Sequence, residues 1–156
     1  MCFVCGEKND FGLHARFYET ETNELVALIT PSEQHQGYPG RMHGGIAATI
    51  LDETIARSVS AGKVEQLWGV TMEFKAKYRK PVPLGLELKV VGRVTSEGSR
   101  TFEGTGEILL PDGEIAVSAE GKYIKLNINQ ITDDQFTGEQ WYLKESPDDP
   151  REIEIP

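Results

Sequence analysis

The stretch GGIAATILDETIARSVSA, residues 44–61, decides how the rest of the chain can fold. Wound as a helix, it carries Ile, Ala, Leu and Val on most of its circumference, whereas a surface helix shows only one apolar stripe. A helix of this kind must be wrapped by other structure. Gly62 supplies a C-terminal stop, and residues 31–41, with Pro31, Gly37, Pro39 and Gly40, read as a long loop leading into it. Working outward, residues 13–18 (LHARFY) and 25–29 (LVALI) read as strands before the helix, and residues 67–78, 86–95, 101–110 and 114–126 as strands after it. Turn signals at 81–85, 97–99 and 111–113 predict that the last four strands follow one another as a meander. The economical packing is an α+β fold in which an antiparallel sheet of about six strands curls round one long central helix. Residues 1–130 are expected to form this domain. Residues 131–156 are expected to be a C-terminal extension closing in an acidic tail.

The composition bounds the partners. The chain has 156 residues, the length of one domain, and a globular 38% hydrophobic content. Its 16 Lys+Arg against 25 Asp+Glu give a formal charge of −9. That field repels large polyanions, so neither a nucleic-acid nor a membrane-surface partner is expected. A small anion remains compatible, because local cations outvote the global field within a Debye length of about 8 Å. No apolar run reaches the ~18 residues of a membrane span and no secretion signal is visible, which predicts a cytoplasmic address. Cys2 and Cys5 are the only cysteines. In a reducing compartment their C-x-x-C spacing suits half of a zinc site or a redox pair. Because a structural zinc site is four-coordinate, and no other pairing gathers three ligands, neither a metal nor another cofactor is expected.

Chemistry concentrates where loop becomes helix, in HQGYPGRMHGGIAATILDE, residues 35–53. The first-turn N–H groups after His43, at Gly44 and Gly45, lack intrahelical partners and lie at the positive end of the macrodipole. Such donors bind phosphate or polarise a carbonyl oxygen that turns negative during reaction. On the wheel, Asp52 falls among Gly45, Ala48, Ala56 and Val59, whereas Glu53 falls beside Arg57, its i+4 ion-pair partner. Asp52 is therefore either satisfied by backbone or a subunit partner, or it faces a cavity with a raised pKa. His43 is open to two readings, a helix cap or a site residue. His35 reads as a solvent or interface residue.

These residues resemble a known family. CFVCGEKNDFGL at residues 2–13, HGGIAATILD at 43–52 and GVTMEFKAKYRKPVPLG at 69–85 look like the hotdog-fold acyl-CoA thioesterases, in the branch typified by phenylacetyl-CoA thioesterases. The resemblance spans about residues 2–126. It implies the sheet-round-helix fold already read, an acyl-CoA substrate, and homodimers or homotetramers with active sites at the dimer interface. Carried over by motif, Asp52 is the catalytic acid, as nucleophile or general base. The Gly44 N–H is the oxyanion donor, with His43 near the thioester. Thr71 positions water or the acid. Gln36 takes the place of a loop amide donor, a position where this chain departs from several relatives. Gly45 and Asn9 are implied to contact substrate. Lys77, Arg79, Lys80 and Arg100 are candidate cations for the coenzyme phosphates, with solvated surface charge as the alternative, and the two cysteines are implied to pack a loop near the substrate entrance. Two rivals share the fold: a non-catalytic acyl-CoA or fatty-acyl binder, and a dehydratase, which would require a His general base.

Overall fold

A computed structural model describes residues 1–64, 67–132, 146–147 and 149–155. Six strands and one long helix follow one another as β1 (Arg16–Glu19), β2 (Leu25–Ile29), α1 (Gly44–Ser58), β3 (Trp68–Tyr78), β4 (Leu88–Glu97), β5 (Thr101–Leu109) and β6 (Ile115–Leu126), with short 3₁₀ turns at Glu33–His35 and Ile128–Gln130. All strand pairs are antiparallel, and the order across the sheet is β1-β2-β4-β5-β6-β3. The helix packs on β2, β3, β4, β5 and β6. Ile50, Leu51 and Ile55 are fully buried in this contact, against Val90, Phe102, Ile108 and Val117 of the sheet.

The central expectation, one apolar helix wrapped by a six-stranded sheet, is met. The meander is only partly met. β4, β5 and β6 are neighbours in sequence order, but β3 crosses to the far edge and pairs with β6, while β4 joins β2. Pro81 and Pro83 explain the crossing, because prolines lack the N–H that a tight hairpin between β3 and β4 would use. The connector is instead stitched to the helix-start loop, where the Met42 N–H donates to the Val82 carbonyl at 2.9 Å.

Two boundaries move for local reasons. β1 begins at Arg16 rather than Leu13, because His14 adopts φ +49° and interrupts the extended run. Leu13 and Ala15 are nonetheless buried, tied by their N–H groups to the carbonyls of Phe3 and Val4. The helix stops at Ser58, three residues early, as Ser60 and Ala61 take up i→i+3 bonds to Arg57 and Ser58 before Gly62 turns at φ +70°. Of the expected C-terminal extension, residues 133–145, 148 and 156 lie outside the described residues, and the described ones near the end contact the sheet. Ile153 and Ile155 pack on an outer patch of Val26, Leu28, Val91 and Leu109, Tyr18 donates to Asp149 at 2.8 Å, and Lys89 donates to the Glu154 carbonyl.

The closeness of helix and sheet rests on β4. A Cβ on Gly92 would stand 2.8 Å from both the carbonyl carbon and oxygen of Thr54, which are backbone atoms that cannot step aside. Replacing Gly92 with Ala should therefore lower stability by about 1–3 kcal/mol through overpacking. A chemical-denaturation midpoint equal to that of the unmodified chain would contradict this tight contact.

Candidate functional site

The first turn of α1 has its amides assigned almost completely. His43 is the N-cap, and its Nδ1 accepts from the Gly45 N–H at 3.0 Å. A neutral His43 accepting at Nδ1 carries its proton on Nε2, leaving an outward donor. The Ile46 and Ala47 N–H groups donate to the His43 carbonyl at 3.0 and 3.1 Å. This leaves the Gly44 N–H with no hydrogen-bond partner among the described residues. On the other side of the same residue, the Tyr78 hydroxyl donates to the Gly44 carbonyl at 2.7 Å and pins the helix start to the end of β3. The helix start thus presents one free amide, at the positive end of the dipole.

Two turns along, Asp52 is half-buried on the face turned to β3 and β6. The Thr71 hydroxyl donates to Oδ1 at 2.9 Å and lies 3.1 Å from Oδ2, and the Tyr123 hydroxyl donates to Oδ1 at 3.1 Å. Burial pushes the Asp52 carboxyl above the usual aspartate range; the hydrogen bonds from Thr71 and Tyr123 pull the other way, and the Glu53 charge adds to the upward push. Tyr123 itself is fully buried, stacked on Phe102 at 5.0 Å between centroids, and held protonated by burial first and by the Asp52 charge second. It is a fixed donor. Glu53, by contrast, pairs with Arg57 at 2.6 Å, as its i+4 spacing predicts.

The site residues read from sequence divide into three groups. Thr71 and Asp52 are brought into direct contact, and His43, Gly44 and Gly45 form the helix start as a unit. Gln36 and Asn9 bond within their own loops: Gln36 Oε1 accepts from the Gly40 N–H at 2.8 Å, while Asn9 accepts from the Phe11 N–H and donates to the Met1 carbonyl. His35, read as a solvent or interface residue, is buried at 3% exposure, bonded to the Ser32 N–H and the Phe11 carbonyl, because it ties two loops together. Of the cations, Arg79 bonds the Ser118 hydroxyl, Lys80 pairs with Glu114, and Lys77 is exposed, all at the end of β3 nearest Gly44. Arg100 lies at the opposite end. Thr101 pairs with Ile124 there, beside Trp68, whereas Tyr78 pairs with Val117. Ten strand residues at about 3.3 Å each separate the two ends, so Arg100 does not join the cluster within one chain.

Tyr123 and Tyr78 are the two residues that sequence alone did not single out. Both are tyrosines inside β-patterned runs, where aromatic residues are expected for packing, and only the tertiary contacts show their hydroxyls aimed at the helix. The spacing along α1 also matters. Eight residues at ~1.5 Å rise put Gly44 and Asp52 about 12 Å apart along the axis, too far to touch one small reacting group.

The thioesterase superfamily matches residues 39–117, a span that includes the helix start, Asp52, Thr71 and Tyr78. Over 115 residues the chain is 30% identical to the acyl-coenzyme A thioesterase THEM4 of Xenopus laevis, covering 72% of this chain and 50% of that protein. It is 30% identical over 117 residues to THEM4 of Mus musculus, covering 73% and 48%. The chain therefore spans about half the length of these curated relatives. A solved thioesterase superfamily protein superposes with a TM-score of 0.70 at 28% identity, covering 78% of this chain and 58% of that one. The E. coli PaaI protein of the phenylacetic acid degradation operon shares the fold with a TM-score of 0.65 at 19% identity, covering 74% and 81%.

A carboxyl with a raised pKa makes a definite prediction for stability. Below the unfolded pKa both states are protonated and nothing is lost; as pH rises through the folded pKa, ionisation of Asp52 costs the folded state. Asp52→Asn should therefore be more stable than the unmodified chain at neutral pH, with the gain vanishing in acid. Thermal melts across pH check this, and a destabilised variant at neutral pH would be the contrary result.

Proposed function

The chain belongs to the thioesterase superfamily, and from that premise we propose that it hydrolyses an acyl-CoA thioester to the free acid and CoA. The observation that supports this reading most is the pairing on one helix of an unpartnered Gly44 amide with a desolvated Asp52 carboxylate. Acyl transfer needs both groups. The amide would hold the oxyanion that forms as the thioester carbonyl is attacked, an effect of about 3–4 kcal/mol per donor in other acyl-transfer enzymes. Asp52 would deliver the nucleophile, either its own oxygen or a water whose proton it takes. Its raised pKa makes it a better base than a solvated aspartate. Thr71 and Tyr123 fix its orientation, and His43 Nε2 reaches toward the thioester from the same turn.

The separation of about 12 Å along α1 supports a shared site, in which Gly44 of one chain and Asp52 of another act on one carbonyl. β3 offers the means. Among the described residues it is an edge strand of 11 residues bonded to β6 alone, with Val70, Met72 and Tyr78 exposed. A long open edge is a template for pairing with a second chain. Antiparallel pairing of two such edges, centred near Phe74 and Lys75, would set Thr71 of one copy opposite Tyr78 of the other. That juxtaposition brings the carboxylate of each copy to the helix start of its partner, so the working unit is a homodimer. Lys77 and Arg79 then flank the site as cations for the coenzyme phosphates, a local basic patch on a chain of net charge −9.

Thiol release from a panel of short, long and aryl acyl-CoAs tests the reaction. Asp52→Asn should lower kcat by at least about 100-fold; turnover within a few-fold of the unmodified enzyme would overturn the assignment. Saturable acyl-CoA binding without any thiol release would instead mark a non-catalytic binder. The rate should rise with pH as Asp52 ionises, with its acidic limb above the usual aspartate range. Tyr123→Phe, which removes a hydrogen bond from the ionised form, should move that limb to still higher pH. A limb left in place would detach Tyr123 from the carboxylate.

A further inference from the structure

Cys2 and Cys5 take no part in the reaction proposed above, yet they are built into the fold with care. Val4, between them, is buried in the main core, and the segment is stitched down by the Leu13 and Ala15 N–H groups at 2.9 and 2.8 Å. The Gly6 N–H closes the turn onto the Cys2 carbonyl at 3.0 Å, and a Cβ at position 6 would stand 2.5 Å from that oxygen, so the turn needs glycine. Within this fixed turn each thiol is the strongest influence on the other's ionisation. The Val4 N–H donates to Cys2 Sγ at 3.3 Å, and the Arg57 guanidinium donates to Cys5 Sγ at 3.3 Å.

This environment separates the two sulfurs. The Cys5 S–H, and after it the backbone donors, favour a thiolate on Cys2 and hold its pKa below the ordinary thiol range against partial burial and the Glu53 charge. Cys5, as the donor, is held above that range, with the Arg57 charge opposing. Both residues are half-buried, so neither is sealed from a small reagent. Among the described residues, no three His, Cys, Asp or Glu side chains gather to hold a metal ion. Two reachable thiols in one fixed turn, one of them favoured as the thiolate, are the arrangement that thiol–disulfide exchange requires.

We propose that Cys2 and Cys5 form a thiol–disulfide exchange site that accepts low-molecular-weight disulfides of the glutathione class. The Cys2 thiolate attacks one sulfur of glutathione disulfide; the disulfide bond breaks, and one glutathione thiolate leaves and is protonated by solvent. Cys5 then loses its proton to solvent and attacks the Cys2 sulfur, expelling the second glutathione. Two protein thiols are oxidised to one disulfide, and glutathione disulfide is reduced to two glutathione thiols. Both cysteines sit in one turn closed by the Gly6 N–H on the Cys2 carbonyl, so closing the bond asks for side-chain rotation within that turn.

Intact-mass and peptide mapping of the full chain, after incubation with glutathione disulfide at neutral pH, test this. The unmodified chain should lose two hydrogens and retain no glutathione. Cys5→Ser should retain one glutathione on Cys2. Cys2→Ser should close no disulfide and retain at most one glutathione, on Cys5. Circular dichroism of both variants confirms that they fold. Free thiols persisting in the unmodified chain, or glutathione retained there without a closed disulfide, would each overturn the proposal. Stoichiometric uptake of zinc that protects both thiols would likewise overturn it, in favour of a metal site.

Discussion

Helix α1 lies so close to β4 that Gly92 meets the Thr54 backbone without room for a methyl group, and the positions of both ends of the helix follow from that contact. With the middle of the helix locked by Ile50, Leu51 and Ile55, its first turn must emerge beside Tyr78, and Asp52 must come to rest against Thr71 and Tyr123. The site is thus a product of helix burial. A carboxylate on a helix that has to be wrapped is brought out of water whether or not it reacts, and its raised pKa is the physical cost of that placement.

Much of this was legible in the residues. The nearly all-round apolar pattern of residues 46–61 dictated a wrapped helix, and the difference between Asp52 and Glu53 followed from the wheel, with Arg57 accounting for Glu53. The lone donor at the helix start was legible only as a zone. Which amide stays free depends on His43 turning its ring back to cap Gly45, a rotamer that spacing does not encode. Strand order failed where sequence neighbours are a poor guide. The passage of β3 to the far edge depends on a proline-bearing connector docking on the helix-start loop, a long-range contact without periodicity. The same blindness hid Tyr78 and Tyr123. Asn9 and Gln36, taken from the resemblance, bond within their own loops, and Arg100, a candidate cation, stands at the end of β3 opposite Lys77 and Arg79 within one chain.

The charge of the chain reads differently once the fold is known. Many of its carboxylates are already matched, as in the Glu24–Arg93–Glu107 and Lys63–Glu97–Lys125 groups on the sheet. The C-terminal acids ride on a segment that returns to the outer face of β2 and β4 through Ile153, Ile155 and the Tyr18–Asp149 bond. An outer patch of the sheet at β2 and β4 is covered by the chain's own Ile153 and Ile155, while among the described residues β3 pairs with β6 alone. An acidic average therefore coexists with cations at the end of β3, where an anionic substrate would be needed.

The central claim is that one chain holds only half of each site. Proline is accepted at the first position of a helix, and His43, at ψ +135°, already has the extended backbone that precedes a proline. Gly44→Pro should therefore delete the oxyanion donor while keeping the fold, and Asp52→Asn deletes the acid. Each variant alone is expected to be inactive. Dissociated and reassociated together, they should recover about a quarter of the unmodified activity, because half the dimers are mixed and each mixed dimer has one intact site. No recovery, with mixed dimers verified by mass, would contradict the account and place both groups of each site on a single chain.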